Sequence, residues 1–226
     1  MKVGIVIAIA QELKSFLSAG YEVEVLNDTK REVFKTNIAG KEVYAIRSGA
    51  GQIDAASATQ LLITKYDCDV ILNFGVTGAI VKGLKVEDLF IAIKACNYDY
   101  DTSEVDQIAK HRYIEFEDMY IPLDKGLIDK AKEIEPSLKE AFVASGDRFV
   151  SIEDDKDFLN NETLCNICDM ELAAIARTCY LNDVKCLSIK CISDTYEGGA
   201  GEYQDNVSRS ADKAFKLLAK LINELN

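Results

Sequence analysis

The chain has 226 residues, 48% of them hydrophobic, and 38 acidic against 26 basic side chains give it a formal net charge of -12. That size suits one compact core, and with only 2 prolines, no Ser/Gly-rich tract and no repeat, a single domain over residues 1–226 is expected. The acidic balance disfavours nucleic acid as a partner, and no apolar run reaches the ~18 residues of a membrane span, so no membrane partner is expected either.

Met1-Lys2 leads straight into the apolar run Val3–Ile9, which reads as a short buried strand rather than a secretion signal. A short helix over residues 11–18 follows. Residues 23–26, 33–38 and 42–47 read as strands, the last two joined by a hairpin at Ala39-Gly40-Lys41. Gly49 and Gly51 punctuate the chain before a helix faced by Ile53, Ala56, Leu61 and Leu62. Val70-Ile71-Leu72 has the continuous apolar character of a strand covered on both faces, opening into a glycine turn at Gly75-Val76-Thr77-Gly78-Ala79. Residues 89–95 form another such strand, followed by a polar stretch to about Pro122. Ala141–Ala144 leads as a strand into the loop Ser145-Gly146-Asp147-Arg148-Phe149. Residues 171–181 are helical, 186–194 is the longest apolar run, and residues 203–225 form a last helix with Ala211, Phe215, Leu218, Ile222 and Leu225 on one face. Strands alternating with helices predict an α/β fold, a three-layer α/β/α sandwich around a central mixed sheet.

Seven cysteines is an odd count, and Cys96, Cys186 and Cys191 lie within apolar runs. That usage fits reduced, buried thiols and a cytoplasmic location. Cys165 and Cys168 have metal or redox spacing. A second pair is missing and the single histidine, His111, is far off in sequence, so neither a metal nor a cofactor is expected.

Three carboxylates follow apolar runs: Glu12, Glu171 and Asp194. In open α/β proteins such positions border the crevice where ligands bind. Asp194 ends the longest apolar run, where desolvation raises a carboxyl pKa and lets it hold a proton near neutrality; a turn or N-cap aspartate is the alternative. Glu171 falls in the first turn of a helix, whose dipole favours the ionised form. It can then accept from vicinal hydroxyls, or simply complement the helix charge. Phe149 is able to stack on a planar ring and the Val150 main chain to read its edge; Phe149 as a core residue is the plainer reading. Gly49-Ala50-Gly51 reads as a phosphate cradle or as a tight strand-to-helix turn.

Glu12 after the first strand, the segment Gly75–Ala79, Ser145-Gly146-Asp147-Arg148-Phe149, Met170-Glu171 and Ile192-Ser193-Asp194 fall in an order and spacing that resembles the nucleoside phosphorylase superfamily. Within it the chain looks most like the 5'-methylthioadenosine/S-adenosylhomocysteine nucleosidases. The resemblance implies a homodimeric hydrolase that takes a small purine nucleoside and cleaves its N-glycosidic bond with water. By that resemblance Glu12 is the base that activates water, and Asp194, oriented by Ser193, is the acid that protonates the leaving purine. Glu171 binds the ribose hydroxyls, Met170 packs on the sugar, and Phe149 and the Val150 main chain hold the purine. Ala50 and Val76 complete the expected binding residues. The family usually has a serine where Val76 stands and an arginine where Lys190 stands. Enzymes on ordinary purine nucleosides and a non-catalytic nucleoside binder are the competing expectations.

Overall fold

The strand β1 (Lys2–Ile7) lies at the centre of one sheet and is buried along nearly its whole length, Val3, Ile5, Val6 and Ile7 being fully inaccessible. A strand covered on both faces needs no polar alternation, which is why it reads as a continuous apolar run. The computed structural model describes residues 1–27 and 29–225. After β1 come α1 (Ala10–Leu17), β2 (Glu24–Leu26), β3 (Val33–Ile38) and β4 (Lys41–Arg47). Next are α2 (Gln52–Thr64), β5 (Val70–Ala79), β6 (Leu89–Asn97) and α3 (Ser103–Asp106), then β7 (Ile121–Pro122) and α4 (Lys125–Ile134). The chain closes with β8 (Lys139–Ser145), α5 (Glu153–Thr163), β9 (Ile167–Asp169), α6 (Leu172–Leu181), β10 (Lys185–Asp194) and α7 (Ala200–Glu224).

All ten strands belong to one mixed sheet. Strand β1 runs parallel to β4 on one side (Ile5 opposite Ala45) and to β5 on the other (Ile5 opposite Leu72). Beyond β4 the antiparallel strands β3 and β2 extend an open wing. The hairpin between β3 and β4 turns at Ala39 and Gly40, both at positive φ (50° and 80°), as a two-residue hairpin loop requires. The other side behaves differently. Strand β5 pairs with both β10 and β9, and the path β10-β6-β8-β9 returns to β5, so five strands close a ring.

Helices cover both faces, as expected of an α/β/α sandwich. α1 and α7 pack on one side of β5 and β10, while α2 and α6 pair on the other. Phe215 of α7 anchors the first layer, edge-on to Phe16 at 5.8 Å between ring centroids and 5.0 Å from Phe74 of β5. Burying an aromatic or aliphatic side chain of this size contributes about 1.5–3 kcal/mol, and α7 buries Val207, Phe215, Leu217, Leu218, Leu221 and Ile222. Inside the sheet, Asn73 crosses three strands: its Nδ2 donates to the Val6 carbonyl (3.0 Å) and its Oδ1 accepts from Ser188 Oγ (2.7 Å).

One local reading is corrected. Residues 75–79 are not a turn, because β5 continues through them to Ala79 and both glycines sit in strand. The charged sequence of α5, Glu153–Thr163, hides its period, since Leu159 is its one buried apolar residue.

Candidate active site

The carboxyl ends of β1, β5, β9 and β10 meet at a cavity of about 530 Å³, counting its open mouth. It is lined by Ala8, Ile9, Glu12, Ala50, Val76, Thr77, Gly78, Phe149, Cys168, Asp169, Met170, Glu171, Ser193, Asp194 and Tyr203. Among the described residues lining it there is no lysine or arginine.

Glu12 stands in the first turn of α1 and folds back over the end of β1. Its Oε2 accepts from the main-chain N–H of Ala8 (3.1 Å) and Ile9 (3.2 Å), which satisfies orphan donors at the helix start. Its Oε1 accepts from Val76 N across the cavity floor at 3.0 Å. Gly75 makes this possible, because a Cβ there would lie 2.2 Å from Glu12 Oε1. Burial pushes the Glu12 carboxyl above its ordinary value, while the Lys190 charge and the three N–H donors pull it back.

Asp194 is the last residue of β10. The β5–β10 register shifts between Ile192 and Asp194, so that Asp194 rather than Ser193 stands opposite Gly78. A bulge of this kind re-aims a side chain at the end of a ladder. Asp194 is 1% exposed; its Oδ1 accepts from Ser193 Oγ at 2.8 Å, and its Oδ2 has no hydrogen-bond partner among the described residues. A Cβ on Gly78 would come within 2.9 Å of that oxygen. Burial raises the Asp194 carboxyl, Ser193 and the charge of Lys156 lower it, and Glu202 adds a smaller upward push. A buried, unpartnered carboxyl oxygen with raised proton affinity is equipped to hold and release a proton.

Glu171 precedes α6. Its Oε1 accepts from Gly51 N (3.1 Å) and its Oε2 from Met170 N (3.3 Å). The expectation that the helix dipole keeps it ionised is corrected: burial, and then the neighbouring Asp169 charge, push it up to about 8. Asp169 takes over the role at the helix start. Its carboxylate accepts from Leu172 N (3.2 Å), Ser145 Oγ (2.5 Å) and the buried Lys190 Nζ (2.7 Å). Lys190 therefore neutralises Asp169, with both side chains 2% exposed, and its charge also reaches Glu12 and Glu171.

The other expected residues divide. Ala50, Val76, Met170 and Ser193 line the cavity. Phe149 is 44% exposed, not a core residue, and stands edge-on to Tyr203 with centroids 5.3 Å apart. Val150 does not line the cavity; its side chain is buried in a small second core with Ile80, Leu159 and Cys165. The phosphate-cradle reading of Gly49-Ala50-Gly51 meets an occupied loop. The N–H of Gly51 is taken by Glu171, and that of Gln52 by Asp147 Oδ1 at 2.6 Å, so the chain supplies its own anions there. Cys165 and Cys168 are also packed in the second core, where burial pushes both thiols up. Tyr203 was not anticipated. It continues the Val207–Ala211–Phe215 stripe of α7 by one more turn, beyond the edge of the core, and that aromatic at the stripe's end was the available signal.

Three comparisons bear on this arrangement. Residues 2–223 match the family model of the phosphorylase superfamily. The 5'-methylthioadenosine/S-adenosylhomocysteine nucleosidase of Haemophilus influenzae is 31% identical, covering 100% of both chains. The aminodeoxyfutalosine nucleosidase of Helicobacter pylori is 29% identical over 99% of each. Among solved structures, the Helicobacter pylori 5'-methylthioadenosine/S-adenosylhomocysteine nucleosidase superposes with a TM-score of 0.94 at 28% identity, over 100% of this chain and 99% of that one. The futalosine hydrolase of the same organism gives 0.93 at 29% identity, over 100% and 98%. With its whole length matched, the chain belongs to the phosphorylase superfamily, in the family of the 5'-methylthioadenosine/S-adenosylhomocysteine and futalosine nucleosidases.

Proposed function

We propose that this protein hydrolyses the N-glycosidic bond of 5'-methylthioadenosine and S-adenosylhomocysteine, releasing adenine and the thioribose product. One observation carries the reading: Glu12, Glu171 and Asp194, far apart in sequence, line one cavity, and the buried Asp194 Oδ2 has no partner among the described residues. An anionic purine is a poor leaving group. Asp194, oriented by Ser193, protonates the imidazole-ring nitrogen as the bond lengthens, which lowers the barrier. The sugar gains oxocarbenium character, which the carboxylates around it stabilise. Glu12 takes a proton from the attacking water, its carboxylate held in place by three main-chain donors. Glu171 accepts from the ribose hydroxyls and Met170 packs on the sugar. Phe149 stacks on the purine. The residues in these roles need no metal or cofactor.

Water is favoured over phosphate as the nucleophile by the charge of the site. The cavity is lined by four acids and no lysine or arginine among the described residues; of the buried cations behind it, Lys190 is held by Asp169 and Lys156 by three main-chain carbonyls. A phosphate dianion entering beside Glu12 meets repulsion with no cationic clamp. The aminodeoxyfutalosine nucleosidase relative supports a second reading, in which the same adenine-releasing chemistry acts on a nucleoside with a bulkier 5' substituent. The working unit is proposed to be a homodimer in the cytoplasm.

The test is release of free base from a panel of methylthioadenosine, S-adenosylhomocysteine, aminodeoxyfutalosine, adenosine and inosine, with and without phosphate. Adenine release without phosphate is the expected result, and the best substrate assigns the 5' group. Strict phosphate dependence with ribose 1-phosphate products would replace hydrolysis with phosphorolysis. Tight binding with no base released would leave a nucleoside-binding protein.

A further inference from the structure

Lys156 of α5 is wholly buried, and its ammonium head meets three main-chain carbonyls: Thr195 (2.8 Å), Tyr196 (3.0 Å) and Gly198 (2.6 Å). A lysine head has three N–H donors and no acceptor, so these contacts saturate it. All three acceptors lie in the four residues that follow Asp194. The same loop is tied down elsewhere: Thr195 N and Oγ1 donate to Glu202 Oε2 (2.5 and 2.9 Å), and Tyr196 Oη donates to Asp157 Oδ1 (2.8 Å). On its other side, α5 begins directly after the Phe149–Ile152 strip, whose first residue faces the cavity. Lys156 thus joins the segment proposed to hold the base to the loop leaving the proposed acid.

Burying a charge is unfavourable unless it is compensated, and an apolar side chain fills such a space at lower cost. The presence of lysine here calls for a use of its charge. We propose that Lys156 is a positioning residue for the proton donor: its buried cation fixes the main chain leaving Asp194 and acts electrostatically on that carboxyl. The inference rests on the acid role proposed for Asp194. The groups that act on Asp194 are Ser193 on its own strand, Lys156 from α5, Cys168 from β9, and Glu202 and Tyr203 from α7. Lys156 is the cation among them. It opposes the rise caused by burial and by Glu202, so removing it drives the carboxyl further upward.

The experiment compares Lys156→Gln and Lys156→Met, which remove the charge, with Lys156→Arg, which keeps it. The readout is the pH dependence of adenine release from methylthioadenosine, with thermal melts run alongside. An acid must be protonated to act, so activity falls as pH rises through its pKa. The neutral variants should move that alkaline limb up by about one pH unit, whereas Arg leaves it at the wild-type position. They should also lower plateau kcat by about tenfold with KM little changed, since the acid is less well held. An unmoved limb in a folded neutral variant overturns the proposal. So does failure of both neutral variants to fold while Arg folds, because Lys156 would then serve the fold alone. Wild-type protein that releases no base from any nucleoside sinks the proposed function instead, a result distinct from an active enzyme with an unmoved limb.

Discussion

In the cavity lining the Glu12 carboxylate accepts three main-chain N–H groups, whereas the Asp194 carboxyl takes the Ser193 hydroxyl on one oxygen and nothing among the described residues on the second. Both are buried, and burial raises both. The compensation differs. Three N–H donors and the Lys190 charge favour ionised Glu12, as a base requires, while the free Oδ2 of Asp194 favours a carboxyl that carries a proton. Two identical functional groups thus differ in what their oxygens meet, although the net direction at both is upward.

The sharpest way to break that contrast is to remove one member at a time. Asp194→Asn and Glu12→Gln should each lower kcat by about 10²–10⁴-fold while a non-hydrolysable substrate analogue still binds. Near-normal turnover in either variant, measured as adenine release, would take that residue out of its role.

The glycines of β5 offer a gentler test, because each makes room for one carboxylate. Gly75→Ala would put a Cβ 2.2 Å from Glu12 Oε1, and Gly78→Ala one 2.9 Å from Asp194 Oδ2. The first must displace the base and should cost on the order of 10²-fold in kcat; the second should cost less. Equal losses would mean that the strand, not the carboxylates, responds to the added methyl.

Glu171 sharpens the comparison through pH. Its folded pKa stands at about 8 against an ordinary 4.5, so between those values the folded chain binds more protons than the unfolded one. The contribution of Glu171 is therefore fully present below the ordinary value and is lost as pH rises through about 8. Thermal melts of the ligand-free protein should show the midpoint falling across that window, and Glu171→Gln should flatten the fall. A slope unchanged in that variant would assign the effect to other acids. The smallest effect is expected at the mouth, where Phe149→Leu removes the edge-on contact with Tyr203 and a stacking face. Aromatic pairing of this kind is worth about 0.5–1.5 kcal/mol, so KM should rise about two- to tenfold with kcat nearly preserved.

Much of the architecture was legible along the chain because buried strands and amphipathic helices leave local periods. The run Val3–Ile9 and the stripe of α7 are examples. Residues 75–79 misled because glycine usually marks a turn, whereas here it provides space inside a strand for side chains arriving from α1 and β10. Helix α5 stayed hidden because its one buried cation looks like surface charge in sequence. For the site, the candidate acids could be picked out, but the division of labour between Asp169 and Glu171 could not. Both stand at the same strand-to-helix junction, and only the approach of Lys190 and Gly51 separates them.

By itself, the order of residues determined the alternation of strands and helices, the resemblance to a family, and which carboxylates stand at strand ends, since these follow from short-range spacing. Tertiary structure alone decided that β5 and β10 close a ring, that a register shift turns Asp194 toward Gly78, and that one oxygen there is left without a partner. Those outcomes depend on pairings between segments more than a hundred residues apart. The hydrogen-bond partners that distinguish the two carboxyls exist only once those segments have met.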